Sequence, residues 1–156
     1  MPESAPARVD FYVLAGTEAR ARLLLACRLA ESAYLAGKQV LVWLDDATAL
    51  QAFDDLLWTF ADRSFVPHEL FSDAQQWQHT PVLLSASLQP PGAIELLLNL
   101  GAQVPAVAAQ AARIIELVDA DESRRQAGRG RFRVYRERGL TPETHNIAAG
   151  ELPQPL

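Results

Sequence analysis

Seven arginines lie between positions 124 and 138, and Glu137 is the one acidic residue among them. The segment therefore carries a net charge of +6, in a chain whose total is −5, which leaves −11 for the remainder. Guanidinium groups pair with carboxylates and phosphates, and such a reversal of charge concentrates a positive field on one part of the surface. The segment predicts a binding site for a small acidic ligand. The arginines are Arg124, Arg125, Arg129, Arg131, Arg133, Arg136 and Arg138.

The arginine segment is predicted to be a helix that begins at Asp121 and ends at Gly139. At about 100° per residue, small residues share one narrow face, which should pack on the body of the protein. These residues are Ala127, Gly130 and Val134. The opposite face holds Arg125, Arg129, Phe132 and Arg136, with Arg133 at its flank. Arg124, Arg131, Tyr135 and Arg138 form a second stripe.

Phe132 is thus expected among arginines and away from the packing face, where core packing would not place a phenylalanine. This favours a pocket for a peptide that has acidic residues and an apolar end, because exposed ion pairs alone bind weakly and an aromatic contact would add the anchor. One alternative is a solvated helix whose arginine stems cover apolar surface. Another is a site for single-stranded nucleic acid, which also binds arginines interleaved with aromatic residues. The net charge of −11 on the rest of the chain disfavours this alternative.

The elements that position this helix indicate an α/β fold. Strands alternate with helix-length connections, which predicts a single domain with a mostly parallel central sheet flanked by helices. The predicted strands are 9–14, 39–44, 81–86, 94–100 and, last, 113–119. Helices are predicted over 17–35, with Thr17 as its cap, over 45–58 and, shorter, over 104–112. The apolar residues of 59–80 follow neither the period of a helix nor that of a strand. The domain is expected to span 1–147, followed by a disordered tail over 148–156.

Composition excludes several classes of function. A sequence pI near 5.1 argues against a dedicated nucleic-acid binder. No apolar stretch is long enough to span a membrane, and the first residues lack a signal-peptide core, so a cytoplasmic protein is expected. One cysteine, Cys27, excludes a disulfide framework and a cysteine-based zinc site, and its helix position predicts a buried, inert thiol. No metal or other cofactor is predicted.

A small nucleotide-binding enzyme is the main alternative function. Gly16 and Asp45 would lie at the carboxyl edge of the sheet, where α/β proteins bind ligands. However, one glycine is not a dinucleotide fingerprint, and Asp45-Asp46 is also a typical start of a helix. The histidines, at 68, 79 and 145, have no metal-ligand spacing and no partner that the sequence identifies.

An aromatic stretch in the middle of the chain predicts a second functional surface. It comprises Leu57-Trp58-Thr59-Phe60 and Ser64-Phe65-Val66-Pro67-His68. Core packing beneath a loop is one interpretation. The other is an apolar docking patch for a protein, because Trp and Phe beside a proline-stiffened loop are good anchors.

These residues also carry a family resemblance. From about residue 9 to 147 the chain resembles the chi subunit of bacterial DNA polymerase III holoenzyme. The shared segments are Asp10-Phe11-Tyr12, Gly37-Lys38-Gln39-Val40-Leu41-Val42, the aromatic stretch, Arg113-Ile114-Ile115-Glu116-Leu117-Val118 and the arginine helix through Val134-Tyr135-Arg136.

The resemblance implies a Rossmann-like adaptor that has no catalytic activity and binds no dinucleotide. It implies that Trp58 and Phe65 dock to the psi subunit of the clamp loader. It also implies binding to the acidic C-terminal tail of single-stranded DNA-binding protein (SSB), which ends in an apolar dipeptide. The implied tail-binding residues are Val118, Arg125, Arg129, Phe132 and Arg133. In some members an XPD-like helicase uses the psi-binding surface, and the sequence leaves open whether this chain shares that property.

Overall fold

The computed structural model describes residues 6–87 and 92–148. It confirms the α/β fold, with a seven-stranded sheet in which every pairing is parallel. The strands are β1 (Arg8–Leu14), β2 (Val40–Trp43), β3 (His68–Leu70), β4 (Val82–Ser85), β5 (Ile94–Asn99), β6 (Ala111–Val118) and β7 (Glu143–Ile147). The helices are α1 (Ala19–Leu35), α2 (Ala47–Thr59) and α3 (Glu122–Glu137), and single 3-10 turns span Ala74–Gln78 and Ala106–Gln110.

The strand order across the sheet is β3-β4-β2-β5-β6-β1-β7. Helices α1 and α2 cover one face, where they share a core with β2, β4, β5 and the even-numbered residues of β1. Helix α3 and the 3-10 turns contribute to the core on the other face. Strands buried on both sides must be apolar throughout, as Val40–Trp43 is, and this is why the parallel sheet was predictable.

Capping residues define most helix ends as the sequence predicts. Asp46 accepts a hydrogen bond from the backbone N–H of Ala49, and Asp121 accepts one from that of Arg124. Gly37 and Gly139 follow the C-cap residues of α1 and α3 and adopt positive φ values of 76° and 83°, a conformation that glycine adopts without strain. The predicted cap of α1 is wrong. Glu18 occupies the N-cap position instead of Thr17, and its side chain makes no capping hydrogen bond.

Two edge strands and one predicted helix differ from the sequence prediction. β3 lies in the stretch that has no clear period, and β7 follows the strand that was predicted to be last. The predicted helix over 104–112 is a single 3-10 turn, because residues 111 and 112 already belong to β6.

Of the predicted tail, residues 149–156 lie outside the described residues. Within the described ranges, no helix is long and apolar enough to cross a membrane.

Candidate functional site

Helix α3 packs on the sheet through a different face from the predicted one. Its buried residues are Gly128, Arg131 and Tyr135. Gly130 is exposed, and a Cβ added there would meet nothing within 4 Å. The prediction that Ala127, Gly130 and Val134 form the packing face is therefore wrong. The physical reason is a buried ion pair, since a helical wheel cannot show which arginine has a buried partner.

That partner is Glu116 of β6, which is fully buried. Its carboxylate accepts hydrogen bonds from Arg131 Nε at 2.7 Å, the Tyr135 hydroxyl at 2.6 Å and Asn99 Nδ2 at 2.9 Å. Burial raises the pKa of Glu116, and Arg131 is the strongest opposing influence. Burial also raises the pKa of Tyr135, so its hydroxyl stays a donor. This network fixes the rotation of α3 about its axis, because a buried charge requires its partners.

Of the other five arginines in α3, one makes an ion pair with a carboxylate of the described residues and four do not. Arg124 makes a close ion pair with Asp119, with Nη2 and Oδ2 2.8 Å apart, and this hydrogen bond raises the pKa of Arg124. Within residues 6–87 and 92–148, four exposed arginines have no carboxylate within 4.0 Å and line one groove. They are Arg125, Arg129, Arg133 and Arg136. Their charges are available to a ligand.

The groove lies between α3 and the outer strands of the sheet and has a volume of about 850 Å³. Its floor is apolar, with Phe11, Val13, Val118 and Phe132, while the four arginines and one acidic residue, Glu137, line the α3 side. All five residues of the predicted tail-binding set line it, namely Val118, Arg125, Arg129, Phe132 and Arg133. The structure thus brings the set together, and its binding role stays a prediction. An apolar floor beside unpaired cations suits a peptide that is both acidic and apolar.

The predicted orientation of Phe132 is wrong. Its ring is partly buried and packs against Phe11 of β1, with the ring centroids 5.2 Å apart. It lies close to the packing face because that face is centred on Gly128 and Tyr135. Phe132 therefore joins the core to the floor of the groove, and it stays partly exposed there.

Apart from Val118 of β6, the sequence prediction missed the residues that the strands contribute to the groove. Phe11 and Val13 come from β1, and Thr144 and Asn146 come from β7. The alternation of Val9, Phe11 and Val13 with polar or aromatic neighbours was a usable signal for β1. β7 has only a weak signal, because its five residues, Glu-Thr-His-Asn-Ile, include one large apolar side chain.

A second candidate surface lies where α2 ends and the chain turns towards β3. Trp58 and Phe65 are 54% and 61% exposed, and their ring centroids lie 5.7 Å apart. They are therefore not core residues. The loop that holds Phe65 is tied to α1 by a hydrogen bond from the Ser64 hydroxyl to Glu31. Leu35, which follows Glu31 by one helical turn, is 74% exposed.

The carboxyl edge of the sheet is occupied by structural contacts. Asp46 caps α2, and Asp45 accepts a hydrogen bond from Ala102 N at 3.0 Å. A cavity of about 230 Å³ lies there, and the guanidinium of Arg22 at its wall donates to the carbonyl of Leu117 at 2.9 Å. These contacts give the carboxylates and the guanidinium structural roles.

Cys27 is buried in the core between α1 and the sheet, as the sequence predicts. Burial raises the pKa of its thiol to about 12. A thiol in that state is a poor nucleophile, because the thiolate is the reactive form.

Each histidine has a carboxylate partner that the sequence could not reveal. His68 bonds Asp54 at 3.0 Å, His79 lies 3.1 Å from Glu69, and His145 bonds Asp10 at 2.9 Å. His145, Asp10 and Glu143 together have the ligand types of a metal site.

The second oxygen of Asp10 pairs with two arginines, Arg8 and Arg113, each at 3.1 Å. Those two guanidinium groups would oppose a bound cation. We therefore treat the group as an ion-pair cluster.

The sequence model of the family described as "DNA polymerase III chi subunit, HolC" matches residues 7–143. The chain belongs to the DNA polymerase III chi subunit family. It is 38% identical over 140 residues to the chi subunit of Pseudomonas aeruginosa, and the match covers 90% of this chain and 96% of the relative. It is 30% identical over 142 residues to that of Haemophilus influenzae, covering 88% and 96%. The Escherichia coli K12 chi subunit is 24% identical over 120 residues, covering 77% and 82%.

Among solved structures, the crystal structure of T4 UvsW is similar in fold, with a TM-score of 0.63 and 10% sequence identity. The match covers 90% of this chain and 42% of that one. At that identity the likeness concerns the fold alone. Membership of the chi family assigns the chain an accessory role in DNA replication. It also confirms the resemblance drawn from the sequence.

Proposed function

We propose that this chain is a non-catalytic adaptor of the bacterial replisome, with two separate protein-binding surfaces. The groove beside α3 binds the acidic C-terminal tail of SSB. The surface formed by Trp58 and Phe65 docks to the psi subunit of the clamp loader. The protein would then tether the polymerase to the coated template strand in the cytoplasm.

The observation that carries this proposal is the row of unpaired arginines over an apolar floor. Arg125 and Arg136 are about 16 Å apart along the axis of α3, which is also the length of about five residues of extended peptide. The groove can therefore hold several acidic residues beside the arginines while an apolar end packs on Phe132 and Val118. Charge steers the ligand and the apolar contact anchors it, because exposed ion pairs contribute only about 0.2–1 kcal/mol each.

Two observations support the docking surface: its aromatic side chains are exposed, and packing holds one of them in place. Large apolar side chains that stay exposed together usually mark a binding site. Trp58 also packs on His68, with the ring centroids 4.7 Å apart, so the patch is held in place before a partner arrives. A preformed aromatic surface loses little side-chain entropy on binding. We propose psi as the occupant, and an XPD-like helicase would compete for the same residues.

The experiment uses two variants that each remove one surface. The wild-type protein, Arg129→Ala and Phe65→Ala are tested for capture of the cognate SSB and of psi. Arg129→Ala should lose SSB and retain psi, and Phe65→Ala should show the reverse. Loss of both partners in a variant that is still folded would contradict two separate surfaces. Retention of SSB by Arg129→Ala would contradict the assignment of the groove.

A further inference from the structure

Strand β7 forms the side of the groove that faces α3, yet little of it is buried. It is the edge strand of the sheet and pairs with β1 alone. Its side chains alternate between the two sheet faces. Thr144 and Asn146 are exposed and line the groove, whereas His145 and Ile147 are half-buried on the α1/α2 side.

His145 is the polar attachment of β7 to the sheet. It bonds Oδ1 of Asp10 at 2.9 Å and stacks on Tyr12, with the ring centroids 5.2 Å apart. Asp10 is fully buried in the neighbouring strand, where Arg113 also holds it. Contacts other than His145 therefore hold the acceptor in place. The other charged neighbours, Arg8 and Glu143, lie at the exposed rim of this cluster.

The groove face of β7 carries groups that suit a peptide backbone. Within the described residues, the side chains of Thr144 and Asn146 make no hydrogen bond. A carboxamide offers both a donor and an acceptor, which matches the N–H and C=O of a peptide group. The arginines lie across the groove from these two residues, so a ligand seated between them would be contacted from both sides.

We propose that β7 is the second wall of the groove: Asn146 binds the backbone of the acidic peptide, and the Asp10–His145 pair positions this wall from the opposite face of the sheet. Asn146 is then a contact residue and His145 a positioning residue. The inference rests on the proposed function of the groove as the site for an acidic peptide. It adds a wall that binds the backbone of the peptide, whereas the arginines bind its carboxylates.

The test measures binding of the C-terminal peptide of cognate SSB to four variants: His145→Leu, His145→Gln, Asn146→Ala and the double variant His145→Leu/Asn146→Ala. Both His145→Leu and Asn146→Ala should weaken binding, each about threefold, because one partly exposed polar contact contributes modestly. His145→Gln keeps a donor to Asp10 and should restore most of the affinity. In the Asn146→Ala background, His145→Leu should have little further effect, because both changes act through the same wall.

Hydrogen exchange gives a readout that needs no ligand. The amides of residues 144–147 should exchange faster in His145→Leu than in the wild type, and His145→Gln should be close to the wild type. Unchanged exchange in β7, or additive losses of affinity in the double variant, would overturn the inference while leaving the proposed function intact. If the wild-type protein does not bind the peptide, the proposed function fails and the contact role of Asn146 falls with it.

Discussion

Gly128 of α3 and Val118 of β6 are in contact so closely that a Cβ on Gly128 would lie 2.7 Å from Cγ2 of Val118. Real Cβ atoms essentially never lie that close to a branched side chain, so glycine sets how near α3 approaches the sheet. Val118 is also part of the groove floor. This contact therefore sets the separation of α3 from the sheet at the floor of the groove.

Gly128→Ala is expected to push α3 outward and to weaken peptide binding. Alanine favours a helix over glycine by about 1 kcal/mol, but here the clash opposes that gain. The matched control is Gly130→Ala, two residues along the same helix, where an added Cβ meets nothing within 4 Å. Thermal unfolding should show Gly130→Ala stabilised and Gly128→Ala not. Equal stabilisation of the two variants would contradict the close contact.

Arg131→Met is expected to destabilise the protein by about 3 kcal/mol, because it leaves the carboxylate of Glu116 buried without its cation. Arg129→Met, on the exposed side of the same helix, should change stability by less than about 0.5 kcal/mol. Denaturant unfolding of both variants measures the difference. A similar small effect for the two arginines would mean that the buried ion pair does not hold α3 in place.

The stability defect of Arg131→Met should depend on pH. Burial raises the pKa of Glu116, and the substitution removes the main opposing influence. A carboxyl group whose pKa is higher in the folded than in the unfolded state binds more protons in the folded state. Its contribution to the free energy of unfolding therefore becomes more favourable as pH falls. The difference from wild type should therefore be smaller at about pH 5 than at about pH 8. A defect that grows on acidification would contradict this sign.

Cys27 should resist alkylation in the folded protein. Burial raises the pKa of its thiol to about 12, so almost no reactive thiolate exists near neutral pH. Iodoacetamide at about pH 8 should label the protein rapidly in denaturant, where thiols titrate near their usual value of about 8.5, and very slowly without it. Equal labelling rates would show that the α1 core opens readily.

The parallel arrangement of the central strands and the three main helices follow from local sequence signals. Apolar runs such as Val40–Trp43, and caps such as Asp46 and Asp121, act within a few residues, and the structure confirms them. The family resemblance also named groove residues that the structure does bring together.

Long-range partners account for what the sequence did not predict. The rotation of α3 depends on Glu116 and Arg131, which are fifteen positions apart, and no periodicity in α3 reveals that pairing. β7 is stabilised by pairing with β1, more than 130 positions away, and by His145 with Asp10. Because few of its side chains are buried, its own sequence carries little of the pattern that identifies a strand.

The most direct measurement of the central claim is a calorimetric titration of the wild-type protein and of Arg129→Met with the C-terminal peptide of the cognate SSB, at low and at high salt. The groove predicts saturable binding of one peptide, weakened by salt because unpaired arginines attract carboxylates, and lost in the variant. Binding that Arg129→Met retains, or whose affinity salt does not change, would contradict a tail-binding groove on α3.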